Sequence, residues 1–145
     1  MRFLAWHVDR FECRITERGR SPLVEEYDDP VTVAEEALLV LASVEKEDES
    51  APERVAAKAV AEIAVHAANL KVQTVVLHPF AHLFGQLSRP AVAVQVLKMM
   101  EKGLRAQGLA VVRTPFGWFN TLDIKAKGHP LSRIARSISA VDAEA

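Results

Sequence analysis

The segment from Val72 to His78, which Pro79 follows directly, constrains the fold more than any other feature of the sequence. Its length and mostly apolar character are typical of a strand that is buried on both faces. Proline has no backbone N–H, so Pro79 ends the hydrogen-bonded ladder of that strand. The sequence therefore predicts a buried strand whose end presents Ala81 and His82 in a turn, where sites of α/β proteins commonly lie.

A helix with a clear amphipathic pattern precedes this strand. Ser50 and Glu53 have the spacing of a capping box, and a proline lies between them, in the first turn. His66 is expected at the surface of this helix, near its end. Residues 36 to 44 form another apolar run, so the order strand, helix, strand predicts a β-α-β unit. The apolar stripe of the helix consists of Val55, Ala56, Ala59, Val60, Ile63, Ala64 and Ala67.

The two ends of the chain carry shorter patterns. Residues 3 to 8 and 11 to 16 have β character on either side of Asp9-Arg10, which predicts a hairpin. The sheet edges of this region are candidates for a dimer interface. Residues 17 to 32 combine glycine, proline and aspartate and predict a long surface loop. Apolar spacing over residues 131 to 138 predicts a short amphipathic helix.

The middle of the chain completes an α/β fold. A second helix is predicted to begin at Pro90 and to stop at Gly108. Strands are expected over residues 109 to 113 and 118 to 125. The prediction is a single domain over residues 1–140, with a mixed β-sheet of about six strands, two main helices and a short C-terminal helix. The last residues, 141–145, are expected to begin a linker.

Composition narrows the class of protein. Of the 145 residues, 50% are hydrophobic and 26% are charged, which is typical of one soluble globular domain. The only cysteine, Cys13, excludes an internal disulfide and fits a reducing compartment. No apolar run approaches the roughly 18 residues of a membrane span. No signal peptide is recognised at the start, so a cytoplasmic protein is expected.

Charge is distributed unevenly, although the formal net charge is only −1. Between residues 124 and 140 the ionic side chains are all basic, namely Lys125, Lys127, Arg133 and Arg136. Such a segment can contact a phosphate backbone, but a short solvated stretch explains the pattern equally well.

The residue types that carry common chemistries are mostly missing. His78 and His82 stand four apart, but the proline between them opposes the helix that such a metal site needs, so no metal is expected. No glycine-rich phosphate loop and no serine nucleophile elbow is found. The residues alone predict a small rigid pocket between two proline corners, at Pro79 and at Pro115, and leave its substrate open.

Five motifs together resemble a known family. They are Phe3-Leu4-Ala5-Trp6-His7-Val8-Asp9, Ser43-Val44-Glu45-Lys46, His78-Pro79-Phe80-Ala81-His82-Leu83, Pro115-Phe116-Gly117 and Lys127-Gly128-His129-Pro130-Leu131. Their order and spacing resemble the N-terminal editing domain of archaeal-type threonyl-tRNA synthetase over nearly the whole chain. The resemblance implies the fold of D-aminoacyl-tRNA deacylases, a homodimer and no cofactor. It also implies hydrolysis of L-serine mischarged onto threonine tRNA, with the tRNA 3′ end as partner and the rest of a synthetase in cis or in trans.

The resemblance also implies roles for individual residues. His82 would contact the terminal nucleotide or an ordered water, with Asn120 in a supporting catalytic role. The substrate-binding residues would be Val44, Pro79, Ala81, Phe116, Gly117, Trp118, Phe119 and Arg133. Those expected to contact tRNA are Lys125, Lys127 and Arg136. The chain departs from the family at Phe119-Asn120, where relatives carry Tyr-Lys, and at Arg133, where they carry Glu.

These departures leave three functions open. In the first, the domain is active because backbone N–H groups hold the ester carbonyl and the 2′-hydroxyl of the terminal adenosine places a water. In the second, the domain only binds tRNA or dimerises. In the third, it is a stand-alone D-aminoacyl-tRNA deacylase. The sequence favours the first of these.

Overall fold

The longest strand, β1 (Arg2–Arg18), lies inside the sheet and pairs with neighbours on both sides. Strand β2 (Val31–Ser43) is its antiparallel partner on one side. The structure is a computed structural model and describes residues 1–141. The expected linker therefore lies, from position 142 onwards, outside the described residues.

Two β-α-β units follow from β2. Helix α1 (Pro52–Leu70) leads to β3 (Thr74–Pro79), and helix α2 (Pro90–Ala106) leads to β4 (Ala110–Arg113). Strands β2, β3 and β4 are parallel to one another. Both helices begin with proline in the first turn, as predicted. Neither helix of the described chain is long and apolar enough to cross a membrane.

Two further strands pair with the other side of β1. Strand β6 (Arg133–Ser137) pairs with residues 2–6 of β1, and β5 (Trp118–Ala126) pairs with residues 8–18. The strand order is β4-β3-β2-β1-β5, with β6 also beside β1. The predicted mixed sheet of six strands with two main helices is thus confirmed.

The sheet has a hydrophobic core on each face. On one face, Phe3, Val40 and Leu77 pack with the apolar stripes of α1 and α2. On the other face, Phe11 from the second half of β1 packs with Leu41 of β2 and with residues of β3. The buried residues of this second core lie on β1, β2 and β3, and no helical residue is among them in the described part of the chain.

The pairing of β1 with β2 is irregular at one point, where Asp9 and Glu36 are skipped. Glu36 of β2 has a positive φ of 47°, which is uncommon for a residue with a side chain. In β1, the register with β5 shifts between Val8 and Arg10, so that Asp9 is a bulge. The ammonium of Lys127 contacts Asp9 and lies 3.2 Å from the Glu36 carboxylate. One cation therefore lies between the two acids at this irregular point.

The predicted N-terminal hairpin is wrong. Strand β1 continues through Asp9 and Arg10, and Arg10 pairs across the sheet with Glu35. The polar pair marks a bulge within one long strand, and β2 supplies the partner that a hairpin would have supplied. The expected dimer edge near residues 1 to 16 is wrong for the same reason, because β1 is paired on both sides.

The predicted C-terminal helix is also wrong, because the segment forms β6. Its apolar spacing fits a helix, but the first part of β1 has an unpaired edge there, and pairing satisfies backbone groups on both strands. His66, expected at the surface, is instead buried beside Leu131 at the end of α1, and burial lowers its pKa. The capping box predicted at Ser50 is not formed, since Ala51 caps α1 without a side-chain bond.

Candidate active site

Three of the predicted pocket residues lie at the carboxyl ends of the three parallel strands. Val44 directly follows β2, Pro79 ends β3, and Phe116 lies three residues beyond the end of β4. Across the sheet Pro79 pairs with Ala42 and Leu77 pairs with Arg113, so the strand ends are in register. This is the edge of an open parallel sheet at which ligands usually bind.

A buried hydrogen bond joins the two proline corners. His78 precedes Pro79 and Thr114 precedes Pro115, and His78 Nδ1 lies 2.8 Å from Thr114 Oγ1. Both side chains are almost completely buried. Burial lowers the pKa of His78 to about 4, so the ring is neutral near pH 7. The main chains at the two corners are therefore held next to each other by neutral groups.

The loop after Pro79 is held by the segment that follows β2. Phe80 N donates to Ala42 O at 2.9 Å, and the hydroxyl of Ser43 donates to the carbonyl of Phe80. Farther along the loop, Ser88 N donates to Val44 O at 3.1 Å. Between these fixed points lie Ala81 and His82, both exposed to solvent, with the His82 ring edge-on to Phe80.

A glycine allows the loop to lie this close to its support. The position that a Cβ of Gly85 would occupy overlaps the carboxylate of Glu45. That carboxylate is buried and lies 3.5 Å from Arg2 Nε. Arg2 in turn donates to the carbonyl of Leu83 at 3.0 Å. The loop is therefore tied to the ends of both β1 and β2.

The second corner depends on Glu25, which no motif of the sequence indicates. Its carboxylate accepts a hydrogen bond from Arg113 Nη2 and another from Phe116 N, each at 3.0 Å. Its backbone N–H donates to Phe116 O at 3.0 Å, and its carbonyl accepts from Trp118 Nε1 at 2.7 Å. Burial acts to raise the pKa of Glu25, but the hydrogen bonds from Arg113 and Phe116 outweigh it and lower the pKa. The residue therefore carries a charge in a partly buried site.

Gly117 makes the turn that brings Trp118 to this corner. Its φ is +94°, a value that residues with a Cβ rarely adopt, and a Cβ there would lie 2.8 Å from Leu23 O. Beside the corner is a cavity of about 270 Å³. It is lined by Glu25, Glu26, Tyr27, Asp28, Asp29, Val31, Thr32, Arg113 and Pro115.

The three residues at which the resemblance suggested departures, Phe119, Asn120 and Arg133, do not form one cluster. Phe119 is 52% exposed and lies opposite Glu17. Asn120 is half-buried, and its Nδ2 donates to Trp118 O at 3.4 Å. Arg133 is exposed at the start of β6, and strands β1 and β2 lie between β6 and β3. Of the three, Asn120 thus forms a hydrogen bond with a residue of the second corner.

The predicted tRNA-binding residues differ in their exposure and in the ion pairs that they form. Lys125 is exposed on β5. Arg136 is also exposed, with its Nε 3.8 Å from a Glu62 oxygen. Lys127 forms ion pairs with Asp9 and Glu36, and its hydrogen bond with Asp9 raises its pKa. The basic segment is therefore partly neutralised by acids from elsewhere in the chain.

Comparison with solved structures supports the fold. The "c-Myc DNA Unwinding Element Binding Protein" superposes with a TM-score of 0.59, covering 94% of this chain and 98% of that one, at 12% identity. At that identity the likeness concerns the fold alone. The likeness supports the single-domain mixed α/β fold that was expected, and it carries no argument about activity.

Sequence comparison then gives the family. The model of the "Archaea-specific editing domain of threonyl-tRNA synthetase" matches residues 1–138, so the chain belongs to that family. Curated threonine–tRNA ligases of Methanopyrus kandleri and Methanobrevibacter smithii are 42% and 41% identical to it, over 99% and 97% of this chain. In both cases the chain spans 23% of the relative's length.

Proposed function

We propose that the domain hydrolyses L-seryl-tRNA formed in error on threonine tRNA. The observation that supports this most is the meeting of Val44, Pro79 and Phe116 at one sheet edge, in a chain that belongs to an editing-domain family. At that edge the Ser43 hydroxyl donates to Phe80 O, and the Glu25 carboxylate accepts from Phe116 N. A hydrogen bond between the side chains of His78 and Thr114 joins the two corners.

A rigid backbone suits the discrimination that this reaction requires. A synthetic site for threonine cannot fully reject serine, because one methyl group contributes only about 1 to 3 kcal/mol to selectivity. The editing site has the converse task, since it must admit serine and exclude threonine by the same methyl. Pro79 and Pro115 restrict the main chain, and the small side chain of Ala81 leaves room for serine. Long, mobile side chains would move aside for the extra methyl group, so a site lined by them would not exclude threonine.

In the proposed reaction, a water attacks the ester carbonyl carbon of the seryl group. Backbone N–H groups at the strand ends hold the carbonyl oxygen, on which negative charge develops. The 2′-hydroxyl of the terminal adenosine positions the water, and the bond from carbon to the 3′ oxygen then breaks. The 3′ oxygen takes a proton and leaves as intact tRNA, and serine is released. His82 contacts the terminal nucleotide or an ordered water, and Asn120 has a supporting role.

The same proposal includes the partners. The aminoacylated 3′ end of tRNA binds at the edge, with Lys125 and Arg136 near phosphates and Arg133 replacing a carboxylate by a phosphate contact. The domain works as a homodimer, together with the rest of a synthetase in cis or in trans.

One assay tests the proposal against its alternatives. The 145-residue chain is incubated with L-seryl-, L-threonyl- and D-aminoacyl-tRNA, and with L-seryl-tRNA that ends in 2′-deoxyadenosine. We expect fast release of L-serine, slow release of L-threonine, and loss of activity on the deoxy substrate. A rate equal to that without protein would leave only the binding function. Preferential release of D-amino acids would indicate a D-aminoacyl-tRNA deacylase.

A further inference from the structure

Three buried polar side chains lie directly beneath the proposed pocket. Ser43, His78 and Thr114 are 2%, 3% and 1% exposed. Each lies at the carboxyl end of a different parallel strand, and each directly precedes a residue at the edge: Val44, Pro79 and Pro115, respectively. The three are here called the polar layer. His78 pairs with Leu41 and Pro79 with Ala42, so Ser43 lies nearer the sheet edge than His78 does.

The hydrogen bonds of the polar layer cross from one strand end to the next. Ser43, at the end of β2, donates its hydroxyl proton to the carbonyl of Phe80, which follows β3. His78 Nδ1, in β3, lies 2.8 Å from Thr114 Oγ1, which follows β4. The Thr114 hydroxyl also lies 3.5 Å from Leu77 O in β3. Each bond fixes the separation of two strand ends that border the pocket.

Stability alone does not account for this choice of residues. Buried polar groups must form hydrogen bonds to offset the loss of water, whereas apolar groups of the same shape can fill such a layer equally well or better. Hydrogen bonds add direction and a defined length, which apolar contacts lack. A neutral His78 is compatible with this role, because a neutral ring and a hydroxyl can pair without an uncompensated charge.

We propose that Ser43, His78 and Thr114 are positioning residues that set the width of the serine pocket and thereby its selectivity against threonine. The proposal rests on the proposed function, because it concerns the pocket of that site. Serine and threonine differ by one methyl group, so a small separation of the strand ends is enough to admit both. The polar layer prevents that separation without touching the substrate.

Thr114→Val tests the proposal most directly, because valine keeps the shape of threonine and lacks the hydroxyl. The measurement is kcat/KM for L-seryl- and L-threonyl-tRNA, with thermal unfolding of each variant. We expect the ratio of kcat/KM for L-seryl-tRNA to that for L-threonyl-tRNA to fall by about tenfold or more, mainly because threonyl-tRNA is hydrolysed faster. A change of this size lies within the selectivity that one methyl group provides. Thr114→Ser keeps the hydroxyl and should retain the native ratio. Ile63→Val, a core change in α1, is the control for lost stability and should also retain it.

Further measurements keep the outcome decisive. Ser43→Ala removes the other bond of the layer and should lower the ratio in the same direction, which covers the case in which Thr114→Val fails to fold. Calorimetry with non-hydrolysable, amide-linked seryl- and threonyl-adenosine gives the ratio of Kd values for each variant. If the native chain fails to hydrolyse seryl-tRNA, the proposed function fails, and the Kd ratios still decide the role of the polar layer. Variants that fold and keep the native ratio of both kcat/KM and Kd would overturn the proposal.

Discussion

The two proline corners are fixed in different ways. The loop after Pro79 is held by many separate bonds to neighbouring chain, including those from Ala42, Ser43 and Val44. The corner at Pro115 is held chiefly by one residue, Glu25, from a loop about 90 positions earlier in the chain. The loss of one of several weak bonds should change the unfolding free energy little. The loss of the one carboxylate should change it more, so substitutions at the two corners should differ in their effect on stability.

Glu25→Gln should have the largest effect. The variant loses the charge that faces Arg113 and weakens the bond to Phe116 N, leaving a partly buried cation with only Glu101. Removing one partner of such a pair costs about 3 kcal/mol in unfolding free energy, and seryl-tRNA hydrolysis should fall with it. Urea unfolding measures the loss. Glu26→Gln, at the exposed neighbouring position, is the control. Equal stability of the two variants would contradict the role given to Glu25.

The hydrogen bond between His78 and Thr114 predicts that the stability of the protein depends on pH. The pKa of His78 is about 4 in the folded chain and ordinarily 6.5, so between these values the unfolded chain binds more protons. Stability should therefore be highest above about pH 6.5 and should fall by about 2 to 3 kcal/mol towards pH 4. His78→Gln lacks this contribution. The unfolding free energies of the two proteins, measured across that pH range, should approach each other at low pH. A constant difference between them would show that His78 does not cause the pH dependence.

Gly117→Ala should have a somewhat smaller effect, of about 2 kcal/mol, confined to the second corner. The new Cβ requires a positive φ and approaches backbone at Leu23, which cannot move without moving the loop. Thermal unfolding checks the loss, and fluorescence of Trp118 reports whether its contact with Tyr27 persists. Unchanged stability would mean that this turn has another low-energy conformation.

Gly85→Ala should have the smallest effect, of about 1 kcal/mol, because its Cβ meets the end of the Glu45 side chain, which can turn aside. Gly128→Ala is matched to it, since no atom lies within 4 Å of the Cβ position there. Differential scanning calorimetry of the two variants measures the difference. If Gly85→Ala were more destabilising than Gly117→Ala, the first corner would be the more rigid of the two, and the comparison would be reversed.

Periodic patterns in the sequence predicted most of the fold. The stripes of α1 and α2 and the apolar runs of β2 and β3 appear where they were predicted. These patterns predicted the wrong element where pairing between strands far apart in the sequence decides the structure. Asp9-Arg10 reads as a turn and is a bulge, because β2 and β5 pair on both sides of it. The segment of β6 reads as a helix and forms a strand on a free edge of β1.

The candidate site divides in the same way. The meeting of Val44 and Pro79 follows from strand direction, which a β-α-β pattern predicts. The role of Glu25 does not follow from any local pattern, because its partners lie 88 to 93 positions later in the sequence. Lys127 was predicted to contact tRNA. Its ion pairs with Asp9 and Glu36 depend on the bulge at Asp9, which no spacing in the sequence predicts.

The proposed function requires that main-chain atoms at the strand ends form the part of the site that contacts serine. The most direct measurement is a crystal structure with a non-hydrolysable seryl-adenosine analogue bound. The account predicts the serine side chain between Pro79, Ala81 and Phe116, with no ionisable side chain touching its hydroxyl. Density for the seryl group in the cavity lined by Tyr27 and Asp28 instead, with the strand ends empty, would contradict it.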